Sequence, residues 1–228
     1  MDFDAIFQAY YSLFRADSDV PTSADDEYTV GLRLANEAVN RWRVYDNTYW
    51  KELFATSQDN STGGVVTITT GTKTYAAPTA FAEAGGFVRI LDGNGNVVDR
   101  YPIIEPHEKQ FRTDQSKFAY FTGNNAVGFT LNLNPAPTSA TNGFSILYDY
   151  YKKPTEFTTG TDVTEMADPY FIVHRMLAQQ FRAARNPYYS SAKQDAEDSL
   201  RQMQLINNSG TWANPWTIAD TSGNTWGA

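Results

Sequence analysis

Apolar residues in the first quarter of the chain recur at intervals of three and four positions, which predicts two helices. The first covers Asp2 to Arg15, and its apolar face is mostly aromatic. The second begins after Pro21 and continues to about Phe54–Ser57, with Asp46 as the single break in its apolar stripe. Because such a stripe packs against other helices, this segment predicts part of a helical bundle.

The predicted start of the second helix carries a cluster of acidic residues. Thr22 with Asp25, or Ser23 with Asp26, has the spacing of a capping box. Carboxylates in the first turn also interact favourably with the positive end of the helix dipole. We therefore predict that Asp25, Asp26 and Glu27 start a helix and do not form a catalytic pair.

From Gln58 to Lys153 the pattern changes to short apolar runs separated by Thr, Gly, Asn and Pro. Apolar and polar residues alternate, most clearly over residues 129–133, which predicts half-buried strands. Six strands are predicted: Val65–Thr70, Phe87–Leu91, Val97–Ile104, Phe118–Thr122, Val127–Leu133 and Phe144–Tyr151. The run Asp92–Asn96 is rich in Gly and Asn and predicts a hairpin turn between two of them.

Helical periodicity returns after Thr161. Asp168-Pro169 and Asn186-Pro187 each place a capping residue before a proline, which predicts the starts of two helices. The segment 207–228 has no apolar period but contains three of the five tryptophans: Trp212, Trp216 and Trp226. Either a groove on a partner or the chain's own domain can bury these indoles, and the sequence leaves both open.

Together these segments predict an α+β protein with an inserted domain. Residues 1–57 and 161–206 supply the N- and C-terminal helices of a bundle. Residues 58–160 form an inserted small antiparallel β-domain, and residues 207–228 an extended C-terminal tail. The chain has 228 residues, of which 41% are apolar, so at least one domain can bury a sizeable core.

Composition excludes several kinds of chemistry. The chain has no cysteine, which excludes disulfides, thiolate nucleophiles and cysteine-based metal sites. Its two histidines, His107 and His174, are far apart in sequence and share no fixed spacing with carboxylates. We expect satisfied core or interface histidines, and no catalytic residue, metal site or cofactor is predicted.

One short run matches the first part of the sequence motif of a calcium-binding loop. Asp92, Asn94 and Asn96 have the spacing of the first three ligand positions. The motif then requires glycine and glutamate where this chain has Val97 and Ile103. The run therefore predicts a hairpin turn.

The net charge of −8 and the pI of about 4.7 argue against tight binding of nucleic acid. Binding through phosphates needs a basic patch, and the longest basic run is Lys152-Lys153. Four arginines on the last helices face either an acidic neighbouring subunit or solvent: Arg175, Arg182, Arg185 and Arg201.

No apolar segment is long enough to span a membrane. The N-terminus is acidic and lacks the positive region of a secretory signal. We therefore expect synthesis in the cytoplasm of a host cell and no membrane partner.

Three stretches carry a resemblance to a known family. The most specific runs from Lys117 to Phe157. It contains an aromatic strand, a Leu-x-Leu-x-Pro strand at Leu131–Pro135, and a second aromatic strand that closes in Tyr151–Pro154. The other two are Ala38–Trp42 with Tyr49-Trp50, and Phe181–Tyr188. With the order of the segments, they resemble the head–tail connector, or adaptor, proteins of tailed phages.

The resemblance implies a structural virion protein, not an enzyme, at the neck between head and tail. It implies a homo-oligomeric, dodecameric ring docked on the portal protein, with a tail or nozzle protein below. DNA would pass through the ring without tight binding. In such proteins the C-terminal tail commonly reaches the portal, which implies that Trp212, Trp216 and Trp226 are portal-binding anchors.

Three alternatives remain open on the sequence alone. One is another tail or baseplate structural protein, and another is a host-surface-binding module whose β-domain contacts a glycan. The third, a glycan hydrolase, needs two carboxylates at a fixed separation, and the sequence shows no such pair.

Overall fold

The computed structural model describes residues 1–15, 19–58, 66–113 and 116–209. Within them the chain divides into two compact units. Met1–Leu53 and residues 154–209 form the helical unit, and Phe54–Lys153 forms the β-unit. Helices at both ends of the chain and small antiparallel sheets in the middle confirm the predicted α+β class.

Within the described residues the helical unit has four α-helices: α1 (Phe3–Arg15), α2 (Asp26–Arg43), α3 (Tyr170–Ala183) and α4 (Tyr189–Asn208). α3 contacts each of the other three. The buried residues of α3 are apolar and lie mostly in its first half. They are Phe171, Ile172, Val173, Met176, Leu177 and Ala178. Burial of each of the larger side chains contributes about 1.5–3 kcal/mol. α3 therefore supplies a large part of the free energy that stabilises the bundle.

α2 ends earlier than its apolar pattern predicts. The helix stops at Arg43, and the chain then makes short 3-10 turns at Tyr45–Asn47 and Lys51–Leu53 instead of continuing to Phe54. Asp46, the residue that breaks the apolar stripe, has a φ of 49°. A right-handed helix does not contain this backbone conformation, so the predicted end of the helix was wrong.

Trp50 belongs to the same core although it lies beyond the helix. Its ring centroid lies 5.5 Å from that of Trp42 on α2, and both side chains are almost completely buried. The Nε1 of Trp50 donates a hydrogen bond to the backbone carbonyl of Trp42 at 2.8 Å. The apolar spacing of the sequence therefore continues beyond the end of α2, because the turn brings Trp50 back into the core of the bundle.

α1 and α2 approach closely at a glycine. Gly31 on α2 is buried against the ring of Phe7 on α1, and a β-carbon at position 31 would overlap two carbons of that ring. Phe7 is itself 1% exposed. A residue without a side chain is therefore required where the two helices meet.

Two polar side chains, Asp168 and Asn186, accept hydrogen bonds at the starts of α3 and α4. The carboxylate of Asp168 accepts a hydrogen bond from the backbone N–H of Tyr170 at 3.1 Å. The side-chain oxygen of Asn186 accepts one from the N–H of Tyr188 at 2.9 Å. Both helices were predicted, but neither has its proline at the first helical position. The N-cap residues are Pro169 and Tyr188, and α4 begins two residues after Pro187.

The described part of the β-unit has ten short strands. They are β1 (Phe54–Thr56), β2 (Val66–Thr67), β3 (Thr74–Ala76), β4 (Phe81–Ala84), β5 (Phe87–Leu91), β6 (Val97–Pro102), β7 (Phe118–Asn124), β8 (Gly128–Asn134), β9 (Ser145–Leu147) and β10 (Asp149–Lys152). They form three antiparallel sheets, in the orders β1-β10-β4, β2-β9-β5-β6 and β3-β8-β7. One core joins them, with Ile90, Leu131 and Tyr150 among its most buried residues.

The strand predicted over Phe144–Tyr151 is two strands in two different sheets. β9 pairs with β2 and β5, whereas β10 pairs with β1 and β4. The change of sheet occurs at Tyr148. Ser57 binds both backbone groups of Tyr148. The backbone N–H of Ser57 donates to the Tyr148 carbonyl at 2.9 Å, and the Ser57 hydroxyl accepts from the Tyr148 N–H at 3.0 Å. The serine thus satisfies the backbone groups that neither sheet pairs.

Replacing Ser57 by alanine is expected to lower the free energy of unfolding by about 1–3 kcal/mol, because the buried N–H of Tyr148 loses its acceptor. Ser57 is 3% exposed, so water does not easily replace the hydroxyl. Urea denaturation measures the change. Ser139→Ala is the matched control, since Ser139 is an exposed serine of the same unit. Equal stabilities of the two variants would contradict the bridging role.

Candidate interaction surfaces

The histidines do not form a metal site. His107 is exposed in the β-unit, and His174 is half-buried on α3. Across residues 1–15, 19–58, 66–113 and 116–209, no group of three His, Asp or Glu side chains could hold a metal ion.

The Asp92 carboxylate is used by the hairpin turn between β5 and β6. One oxygen accepts hydrogen bonds from the backbone N–H groups of Asn94 at 2.9 Å and Asn96 at 2.8 Å. The other accepts the side-chain amide of Asn96 at 3.1 Å. These bonds, first of all the one from the Asn96 backbone, lower the pKa of Asp92. This geometry confirms the predicted turn.

The acidic cluster at the start of α2 is also structural. Asp25 is the N-cap residue, and its carboxylate accepts from the backbone N–H of Thr22 at 2.8 Å and from its hydroxyl at 2.9 Å. The backbone bond is the main reason that the pKa of Asp25 is lowered. Glu27 pairs with Arg15 on α1 at 2.8 Å. The prediction of a helix start is confirmed, but the N-cap residue is Asp25 and neither Thr22 nor Ser23.

The three tail tryptophans, Trp212, Trp216 and Trp226, lie outside the described residues. The structure does describe the point from which the tail departs, the last turn of α4. Asn207 is 7% exposed there. Its side-chain oxygen accepts from the backbone N–H of Lys51 at 3.0 Å, and its amide donates to the Tyr49 carbonyl at 2.8 Å.

A second contact holds the same turn. Gln204 donates to the Thr48 hydroxyl at 2.9 Å and to the Asp46 carboxylate at 3.0 Å. Leu205 and Ile206, on the outer side of this turn, are 65% and 67% exposed. The end of α4 is thus fixed to the segment after α2 and presents apolar side chains to its surroundings.

A basic cleft of about 350 Å³ lies between α2, α3 and α4. Four cationic side chains line it: Arg41 from α2, Arg175 and Arg182 from α3, and Lys193 from α4. Glu197 is the one carboxylate among the lining residues, and it pairs with Lys193 at 3.6 Å. The sequence showed the arginines of α3, but only the fold brings Arg41 and Lys193 beside them.

The described residues thus include a charged cleft and an exposed apolar helix end. Both are typical of a protein that acts by contact with other macromolecules. A family model described as SU10 adaptor protein matches residues 8–219. The chain therefore belongs to the SU10 adaptor protein family, a family of structural phage adaptors and not of enzymes.

Membership of this family makes the chain a virion component. A comparison with curated proteins finds no match. Among the described residues, no helix has the length and apolar character needed to cross a membrane.

Proposed function

We propose that this adaptor forms the ring that joins the head of the phage to its tail. Copies of the chain dock on the portal protein, a tail or nozzle protein binds the opposite side, and DNA passes through the channel. Membership of the SU10 adaptor family over residues 8–219 is the observation that carries the proposal. A symmetric ring is the expected assembly, because head-to-tail contacts whose rotation closes generate rings.

The charge of the chain supports a channel that DNA crosses without being held. Each copy carries a formal net charge of −8. A ring of such copies repels the phosphate backbone on average, whereas tight binding would require neutralisation of phosphates by Lys and Arg. Passage of a genome requires weak contacts of this kind.

The C-terminal tail is the proposed attachment to the portal, with Trp212, Trp216 and Trp226 as anchors. An indole buried in a partner pocket contributes on the order of 1–3 kcal/mol. The tail begins from a helix end that Asn207 and Gln204 hold in place. A fixed origin lowers the entropy cost of placing the first anchors in a pocket, which supports Trp212 and Trp216 as the main ones.

Mixing the purified chain with purified portal is expected to produce a complex of fixed, high-order stoichiometry, because each portal subunit offers one equivalent site. Native mass spectrometry measures the number of copies in the complex. The chain without portal is the control. Its copies are expected to associate reversibly at low salt but, without portal, to form no species of that fixed stoichiometry. If the two proteins never associate, the proposed function is wrong.

A further inference from the structure

We propose that the basic cleft between α2, α3 and α4 binds carboxylate groups of a second copy of this chain. The cleft would then be one side of the contact between neighbouring copies. The inference rests on the proposed ring in that it names a contact from which the ring is built.

Most of the positive charge of the cleft has no carboxylate partner among the described residues. Lys193 pairs with Glu197. In the described ranges, Arg41, Arg175 and Arg182 make no ion pair with any carboxylate. Three guanidinium groups at one cavity repel one another, and an anion placed among them relieves that repulsion.

Arg175 is a half-buried lining residue of the cleft. Its Nε is buried and has no hydrogen-bond partner in the part of the chain that the structure describes. Buried donors in proteins are nearly always satisfied. Arg175 also lines the cleft, and a carboxylate accepts two parallel hydrogen bonds from a guanidinium. An acidic side chain in the cleft can therefore bind to Arg175.

The second copy is the partner that the charges favour. The chain has 26 acidic residues against 18 Lys and Arg, so every copy presents surplus carboxylates. Asp26, Asp195 and Asp198 are exposed and have no cationic partner among the described residues. A second copy has the same net charge of −8, so the attraction is local, between the cleft and single carboxylates. A nucleic acid instead brings a continuous line of phosphates, which the rest of the acidic surface repels.

The distribution of charge also suits a head-to-tail contact. Asp26 lies in the first turn of α2 and Arg41 in its last turn, which places them roughly 22 Å apart along the helix. A copy with a basic cleft at one place and exposed carboxylates at another can offer each to a different neighbour. Contacts of this heterologous kind generate closed rings when the rotation between neighbours closes.

The test compares self-association of three proteins by sedimentation velocity at low and high salt. Wild type is expected to associate at low salt and dissociate at high salt, because the contact is ionic. In Arg41→Glu with Arg182→Glu, both exposed positions of the cleft, the association is expected to weaken about tenfold or more. Arg33→Glu with Arg100→Glu makes the same change of charge at exposed positions outside the cleft and is expected to associate as wild type does.

Carbodiimide cross-linking of a mixture of isotopically light and heavy wild type tests the contact directly. A mixed-isotope cross-link between Lys193 and a carboxylate peptide is expected. It would also identify the acidic residue. Circular dichroism of the variants verifies that each one is folded.

Three results would overturn the inference: a wild type that stays monomeric at both salt concentrations, equal association of the cleft and control variants, or cross-links that lack Lys193. Binding of a short fluorescent DNA duplex that the cleft variant loses would assign the cleft to nucleic acid instead. Portal binding is scored separately. If wild type attaches to the portal and the cleft variant self-associates normally, this inference alone is refuted. If wild type self-associates through the cleft but does not bind the portal, the proposed function alone is refuted.

Discussion

Removing residues 210–228 is expected to abolish attachment to the portal or weaken it strongly, while the melting temperature stays nearly unchanged. The truncation starts after α4 and so spares Asn207, whose buried side chain makes two hydrogen bonds to the segment after α2. The helical core that determines the melting temperature is built from residues upstream, such as Trp42 and Trp50. Pull-down with portal measures attachment, and calorimetry measures the melting temperature.

A matched pair of full-length variants assigns the effect to the indoles. Trp212→Ala with Trp216→Ala is expected to cause much of the loss, because each buried indole contributes on the order of 1–3 kcal/mol. Thr211→Ala with Thr217→Ala changes neighbouring positions and is expected to attach normally. If the truncated chain attaches as well as the full chain, the tail is not the anchor. If truncation unfolds the protein, the tryptophans belong to its own core.

Replacing Gly31 by leucine is expected to lower the free energy of unfolding by about 3 kcal/mol, because the new side chain overlaps the buried ring of Phe7. Leucine favours helices more than glycine does by up to about 1 kcal/mol, so any loss reflects the clash. Thr29→Leu is the control. It introduces the same side chain at an exposed position of α2.

Chemical denaturation of the two variants measures the difference. The control is expected to be as stable as wild type or slightly more stable. A Gly31→Leu variant with wild-type stability would show that α1 moves away from α2 at little cost. It would contradict the close approach of the two helices.

Local signals were sufficient where neighbouring residues decide the structure. The bounds of β5 agree with its apolar run, and the Asp92 turn follows from side-chain to backbone bonds within five residues. α2 starts at Asp26 and α3 at Tyr170, each within a few residues of its predicted cap. The order of the segments and their local runs also indicated a phage adaptor, which the family match supports.

Longer-range contacts decided other elements of the fold. β1 and β3 have three residues each, too few to show alternation, and they exist as strands because β10 and β8 pair with them. Nothing near Tyr148 in sequence marks the change of sheet. It depends on Ser57, which lies 91 positions away along the chain.

The candidate sites divide in the same way. Composition, charge and the concentration of tryptophans after residue 206 were visible in the sequence, as were the arginines of α3. The basic cleft was not, because Arg41 on α2 is far along the chain from Arg175 on α3 and Lys193 on α4. A periodic pattern determines which face of a helix is buried, but the packing of helices against one another determines which charges share a cavity, and only the tertiary structure contains that packing.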